Sequence, residues 1–349
     1  MNKTRVSIVK GKQKPSTKEV DRLVREAVKL AGGLKNIVKK GNRVLVKPNI
    51  AYHIKPGETE VTDPQVARIV ADLVWEAGGH PFIGEGSSVG VNTEKAMVAS
   101  GYAALRDEGY EVIAFDKTPE VTVPVKGGIA LKEATVYKLA YDADVIISVP
   151  VIKTHALEPA TLSLKNMKGV LPPKEKKKFH LEYGLFQAIA DLNKVVRPHF
   201  VVVDGIYCRD GMGYPYSTEV ELDLVLAGRD PVAVDTVITG IMDQKPLAHA
   251  QLSYEQGVGT ADLRKIEVVG RSVEEVKHRF HTAADLFADK FDRYNIIYGD
   301  KMCTGCWGML HWLLKVLEDG KELNLLKDCL LYTSPSPRDR QKSRMPSSA

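Results

Sequence analysis

The feature that most constrains this chain is an alternation, over its first two hundred residues, of short apolar runs with longer runs of helical period. Continuous Val, Ile and Leu runs suit strands buried on both faces, and such strands separated by amphipathic helices build a mainly parallel sheet covered by helices. VSIVK (Val6 to Lys10) reads as the first strand. Ser16 and Glu19 then form a capping-box signature before a helix with the stripe Val20, Leu23, Val24, Ala27 and Ala31, closed by Gly32 and Gly33. RVLVK (Arg43 to Lys47) and PFIGE (Pro81 to Glu85) bracket a second helix, capped by Thr62 or Asp63 with Pro64 in its first turn. Further strands are expected at Glu111 to Phe115, Asp144 to Pro150, Phe200 to Gly205, Leu222 to Gly228 and Lys265 to Gly270, and helices at about Leu181 to Val195 and Pro231 to Met242. Glu120 to Lys132 reads as a β-hairpin excursion. The expected fold class is α/β, a mainly parallel sheet covered by helices, with a short C-terminal Cys-containing segment.

No repeat or Pro/Ser-rich linker interrupts residues 1–290, which are expected to form one domain, and residues 291–328 begin a CxxC-containing segment. Residues 329–349 lose all periodicity, and CLLYTSPSPRD looks like the translation of a sequencing-library transposon adaptor, so this tail is expected to be disordered and foreign to the fold. It also distorts the charge: Arg338, Arg340, Lys342 and Arg344 against Asp339 account for the fall in net charge from +5 to +2 when the tail is set aside. A polyanion-binding surface therefore has no support in composition, and nucleic acid is not expected as a partner. No run approaches ~18 apolar residues and the N-terminal stretch has no signal-peptide pattern, so the expectation is a cytoplasmic protein with no membrane partner.

Ligands of open α/β sheets sit at the carboxyl ends of the strands. Those positions here hold Lys47 and Asn49, then Glu85, Gly86 and Ser87, then Lys153 and His155, then Asp204. The Gly84 to Gly90 loop could cradle an anion through backbone N–H groups, although its glycine spacing is not the dinucleotide fingerprint and no Walker lysine motif occurs. The stretch Val151 to His180 adds Lys165, Asn166, Lys168 and His180; if Thr161 to Lys168 is helical, Lys165 and Lys168 present two ammonium groups from one face. Fixed cations beside an imidazole can hold an anionic substrate and move its proton, which points to His155, Lys153 and Lys165 as catalytic candidates and to the other strand-end residues as substrate-binding. Lys174 to Lys178 reads as a solvated basic run. Asp230 is expected to cap the following helix, while Asp235, on an otherwise apolar helix, needs a partner such as a lysine or a metal, and could join Asp204, Glu85 and a histidine around a hard cation.

The phrases VLVKPNI, GEGSS, PVIKTHALEPATLSLKNMKGVLP, VVVDGI and AGRDPVAVDTV, in that order, resemble the domain of unknown function 362 family over roughly Val44 to Gly270. The resemblance implies a prokaryotic, generally cytoplasmic protein, in some members joined to ferredoxin-like iron–sulfur segments, with no assigned activity. Cys303 and Cys306 have metal-ligand spacing, so an iron–sulfur cluster, or alternatively zinc, is expected there with its remaining ligands elsewhere. Three functions stay open: an enzyme acting on a small anionic ligand with a linked metal centre, a non-catalytic electron-transfer or ligand-binding protein with a redox partner, and metal-dependent proton abstraction from a hydroxy acid.

Overall fold

The computed structural model describes residues 3–54, 58–155, 159–211, 213, 217–282, 295–297, 310, 313–314, 316–326 and 330–332. The chain opens with β1 (Thr4–Lys10), α1 (Thr17–Leu30), β2 (Arg43–Pro48), α2 (Pro64–Glu76), β3 (His80–Glu85), α3 (Thr93–Ala99) and β4 (Val112–Ala114). A hairpin of β5 (Glu120–Pro124) and β6 (Glu133–Tyr137) forms its own two-stranded sheet, followed by the single turn α4 (Lys138–Tyr141). Next come β7 (Val145–Val149), β8 (Val151–Lys153), α5 (Ser163–Asn166), α6 (Pro173–Leu181) and α7 (Leu185–Leu192). The long strands β9 (Phe200–Gly211) and β10 (Ser217–Gly228) lead to α8 (Pro231–Ile241), α9 (Ala248–Glu255), β11 (Ile266–Gly270) and the short α10 (Val273–Val276).

The main sheet runs β11-β1-β10-β9-β7-β2-β3-β4, with β8 added beside β9. β10 is antiparallel to both β1 and β9, and the other pairings are parallel, so the sheet is mixed but mainly parallel. Alternate residues of each central strand feed opposite cores: Val44 and Val46 pack with α1 and α2 on one face, while Leu45, Ile146, Val201 and Val203 join α7 and α8 on the other. The expected caps are present, since Ser16 Oγ accepts from Glu19 N at 3.4 Å and Asp63 accepts from Gln65 N with Pro64 opening the helix. Among the described residues no helix is long and apolar enough to cross a membrane. Three residues of the tail, Leu330–Tyr332, pair in parallel with Asn295–Ile297, where composition alone predicted no structure.

Two elements differ from expectation for physical reasons. The helix expected over Leu181 to Val195 is shorter, α7 (Leu185–Leu192), because Gly184 takes φ +80°, a left-handed conformation that separates it from Leu181, the last residue of α6. The basic run Lys174 to Lys178 is not a solvated loop but most of α6, begun by Pro172 and Pro173, with Lys176 and Phe179 on its buried side.

Candidate functional site: a lysine-lined cavity at the strand ends

Beneath the site lies a buried ion pair. Lys47 leaves the end of β2 fully buried, and its Nζ donates to Glu85 Oε2 at 2.7 Å, to Pro48 O at 2.7 Å and to Asn166 Oδ1 at 3.3 Å. All three ammonium donors are thus satisfied, as a buried charge requires. Burial pulls the Lys47 pKa down and the adjacent carboxylate of Glu85 opposes the shift. Glu85 Oε2 also accepts from Ile50 N and Oε1 from Gly86 N. Asn166 clamps the same layer, donating from Nδ2 to Lys47 O and Ser148 Oγ, both at 3.0 Å, while its Oδ1 also accepts from Asn49 Nδ2. Gly169 passes so close that a Cβ there would lie 1.9 Å from Glu85 Oε1 and 2.5 Å from Lys47 Nζ, which explains glycine at that position.

The lysine-bearing turn is held from below by Asp235. This carboxylate, at 0% exposure, accepts from Ser163 N and Ser163 Oγ on one oxygen and from Leu164 N on the other, closing the N-terminus of α5. Its partner is therefore a helix start and not the lysine or metal the sequence suggested. Burial raises the Asp235 pKa to about 6 against these hydrogen bonds.

Above this frame opens a cavity of about 600 Å³. Its wall carries Lys153, Lys165, Lys168, Lys176 and Lys177 with His155 and His180, against the carboxylates of Glu60 and Glu85. Since Glu85 is committed to Lys47, the cavity is strongly cationic, and its size suits a small organic anion. Lys153 Nζ donates to Glu60 O at 2.9 Å and lies 5.7 Å from the ring centre of Tyr52; its pKa is lowered by burial, with Glu60 and Glu85 opposing. Lys165 Nζ donates to Thr161 Oγ1 at 3.2 Å. Lys176, 5% exposed, donates to Gly86 O at 2.8 Å and Ser87 O at 2.7 Å, and burial lowers its pKa to about 8. Lys168 Nζ and His180 Nε2 are 2.7 Å apart; burial and then Lys176 lower Lys168 to about 7, while burial, Lys168 and Lys165 lower His180 to about 3. At neutral pH His180 is an uncharged acceptor for a proton that Lys168 holds only weakly. His155 is likewise held well below the ordinary histidine value by burial and then Lys165, Lys168, His180 and Lys153, so it is uncharged at neutral pH.

Several sequence expectations change in detail. His155, Lys153, Lys165, Lys168, His180, Asn49, Gly86, Ser87, Glu85 and Asn166 all reach the cavity wall, but Lys47 lies behind it as a structural cation. Three amides of the Gly86 loop are already engaged within the protein. Gly86 N donates to Gly169 O, Ser87 N to Thr93 Oγ1 and Ser88 N to Ala51 O, so the loop faces Lys176 with carbonyl oxygens instead. Asp204 is away from the cavity, accepting from Asp63 N at 2.8 Å and Ile206 N at 3.2 Å, with its pKa raised to about 7 by burial and then by Asp63. A hard-cation site uniting Glu85, Asp204 and Asp235 is thereby overturned, because each carboxylate is occupied in a different place; among the described residues no group of three or more His, Cys, Asp or Glu is assembled as metal ligands. Cys303 and Cys306 lie outside the described residues. Tyr52, Glu60, Lys176 and Lys177 are cavity residues that sequence reasoning missed, and for Lys176 the i, i+3 spacing to Phe179 was the available signal.

The sequence profile of the family described as domain of unknown function (DUF362) matches residues 44–240, more than half of the chain. The chain belongs to this family. The matched stretch of this DUF362 protein carries every residue of the buried frame and of the cavity wall just described. It is 31% identical over 242 residues to the thylakoid-associated protein sll1697 of Synechocystis sp., covering 65% of this chain and 71% of that protein. A solved structure of the lactate racemase apoprotein from Thermoanaerobacterium thermosaccharolyticum superposes with a TM-score of 0.44 at 13% identity, over 66% of this chain. The DUF362 chain spans 54% of that protein's length.

Proposed function

We propose that this DUF362 protein is an enzyme that binds a small anionic substrate in the strand-end cavity, with Lys153, Lys165 and Lys176 holding its anionic group and His155 and the Lys168–His180 pair moving a proton. The observation that carries the reading is the charge balance of the cavity: five lysines line it, and one of its two carboxylates is already committed to the buried Lys47. Solvated surface lysines would show no such convergence, and burying several cations side by side is costly unless an anion neutralises them. The Lys168 amine, lowered to about 7, suits proton transfer at neutral pH, because groups titrating near the working pH are the most effective acids and bases, and the uncharged His180 beside it can accept its hydrogen bond.

The linked metal centre, iron–sulfur or zinc, and a redox partner protein belong to the same proposal and rest on the Cys303 and Cys306 spacing. A cytoplasmic location is proposed with them, because four cysteines, two of them in a CxxC, suit a reducing compartment. The test is calorimetric titration with oxalate, a compact dianion, against the wild type and Lys165→Ala. We expect saturable binding that weakens with added salt and is lost in the variant while its circular dichroism is unchanged. Equal affinity in the two proteins would remove the assignment.

A further inference from the structure

The lysines of this cavity are not equivalent in what they face. Lys153 and Lys176 each donate to backbone carbonyl oxygens, partners that stabilise an ammonium. Lys168 instead sets its Nζ 2.7 Å from the uncharged His180 Nε2, with Lys176 adding like charge beside it. It sits one turn beyond Lys165, on the turn that Asp235 and Asn166 fix in place, so its amine is presented from a rigid support. A desolvated lysine among other cations is the environment in which an amine is free to act as a nucleophile toward a carbonyl carbon.

We propose that Lys168 condenses with the carbonyl group of a small 2-oxo acid, whose carboxylate is held by the neighbouring lysines Lys165 and Lys176. The proposal rests on the reading of the cavity as an anion site and names its substrate class. The lone pair of Nζ forms the bond to the carbonyl carbon as the C=O π pair moves to oxygen. His180 Nε2, at hydrogen-bond distance, takes a proton from the attacking nitrogen and returns it to the departing oxygen. Both amine hydrogens leave with that oxygen as water, and a C=N bond remains, with no oxidant or reductant required. Lys176 has given two of its three N–H donors to Gly86 O and Ser87 O, which leaves one for the substrate carboxylate.

The experiment is reductive trapping of the full chain with pyruvate and sodium cyanoborohydride at neutral pH, read by intact mass and peptide mapping, beside oxalate calorimetry on the same preparation. The expected result is one reduced pyruvyl group per chain, mapped to Lys168 in the wild type, retained in Lys174→Arg and lost in Lys168→Arg. His180→Gln is expected to slow trapping at least about tenfold while oxalate still binds. Oxalate binding without an adduct on Lys168, or labelling scattered over exposed lysines, would overturn the amine role and leave the anion site standing. Absence of both oxalate binding and adduct would overturn the anion site and this inference with it.

Discussion

The role given to Lys47 and Glu85 makes a strong prediction about stability. The two side chains are 0% and 3% exposed, and Nζ and Oε2 are 2.7 Å apart. Glu85→Ala would leave the Lys47 ammonium buried with only Pro48 O and Asn166 Oδ1 as acceptors, and would also strip Ile50 N of its acceptor. Removing one partner of a buried pair costs about 3–5 kcal/mol, because the remaining charge is neither solvated nor neutralised. For a domain of this size that corresponds to a fall in Tm on the order of 10 °C. Replacing both members by apolar groups, as in Lys47→Met with Glu85→Leu, removes the stranded charge and should recover most of the loss. Urea unfolding followed by circular dichroism measures Glu85→Ala and the four proteins of the double-mutant cycle, which are the wild type, Lys47→Met, Glu85→Leu and the double variant. A Glu85→Ala variant within about 1 kcal/mol of wild type, or two single losses that simply add, would show that this pair is not the buried frame described here.

Other consequences follow from the same geometry. The carboxyl of Asp204, raised to about 7, binds its proton more tightly in the folded than in the unfolded chain, so its contribution is present at low pH and is lost as pH rises toward 7. Relative to Asp204→Asn, the wild type should therefore lose stability between about pH 4 and pH 7, by up to about 1.4 kcal/mol per unit, and hold a constant difference above; a flat difference across that range would contradict it. Asp235→Ala strands Ser163 N and Leu164 N at the start of α5 and should destabilise by about 2–5 kcal/mol while weakening oxalate binding through Lys165, as unfolding and calorimetry on one preparation would reveal. If Cys303 and Cys306 hold metal, Cys303→Ser with Cys306→Ser should lower bound iron or zinc in anaerobically purified protein, and unchanged metal content would dismiss them as ligands.

Much of the sheet was legible because central strands buried on both faces must be continuously apolar, as Val44 to Val46 and Phe200 to Val203 are. Strand direction was not: nothing in the apolar run of β10 marks it as antiparallel to both neighbours. The apolar signal also ends before the strands do. β9 continues through Cys208, Arg209 and Asp210 by pairing with β10, and although these positions are largely enclosed, two of them are charged and so carry no apolar signal. Most of the strand-end residues singled out in the sequence gather around one cavity, but the tasks of these residues depend on partners distant in sequence. Lys47 and Lys165 look alike as residues; Glu85 and Asn166, 38 and 119 positions from Lys47, make the first a structural cation, while the second reaches the cavity wall. Lys176 was hidden by its neighbours, since a run of charges reads as solvated until the helix they form turns one of them inward.

The most direct test of the central claim is a crystal structure of the protein grown or soaked with oxalate. Density for the dianion is expected inside the cavity, in contact with Lys165 and Lys176 and with the Lys47–Glu85 pair intact beneath it. An empty cavity under saturating oxalate, or a Lys47 ammonium withdrawn from Glu85 to meet the ligand, would contradict it.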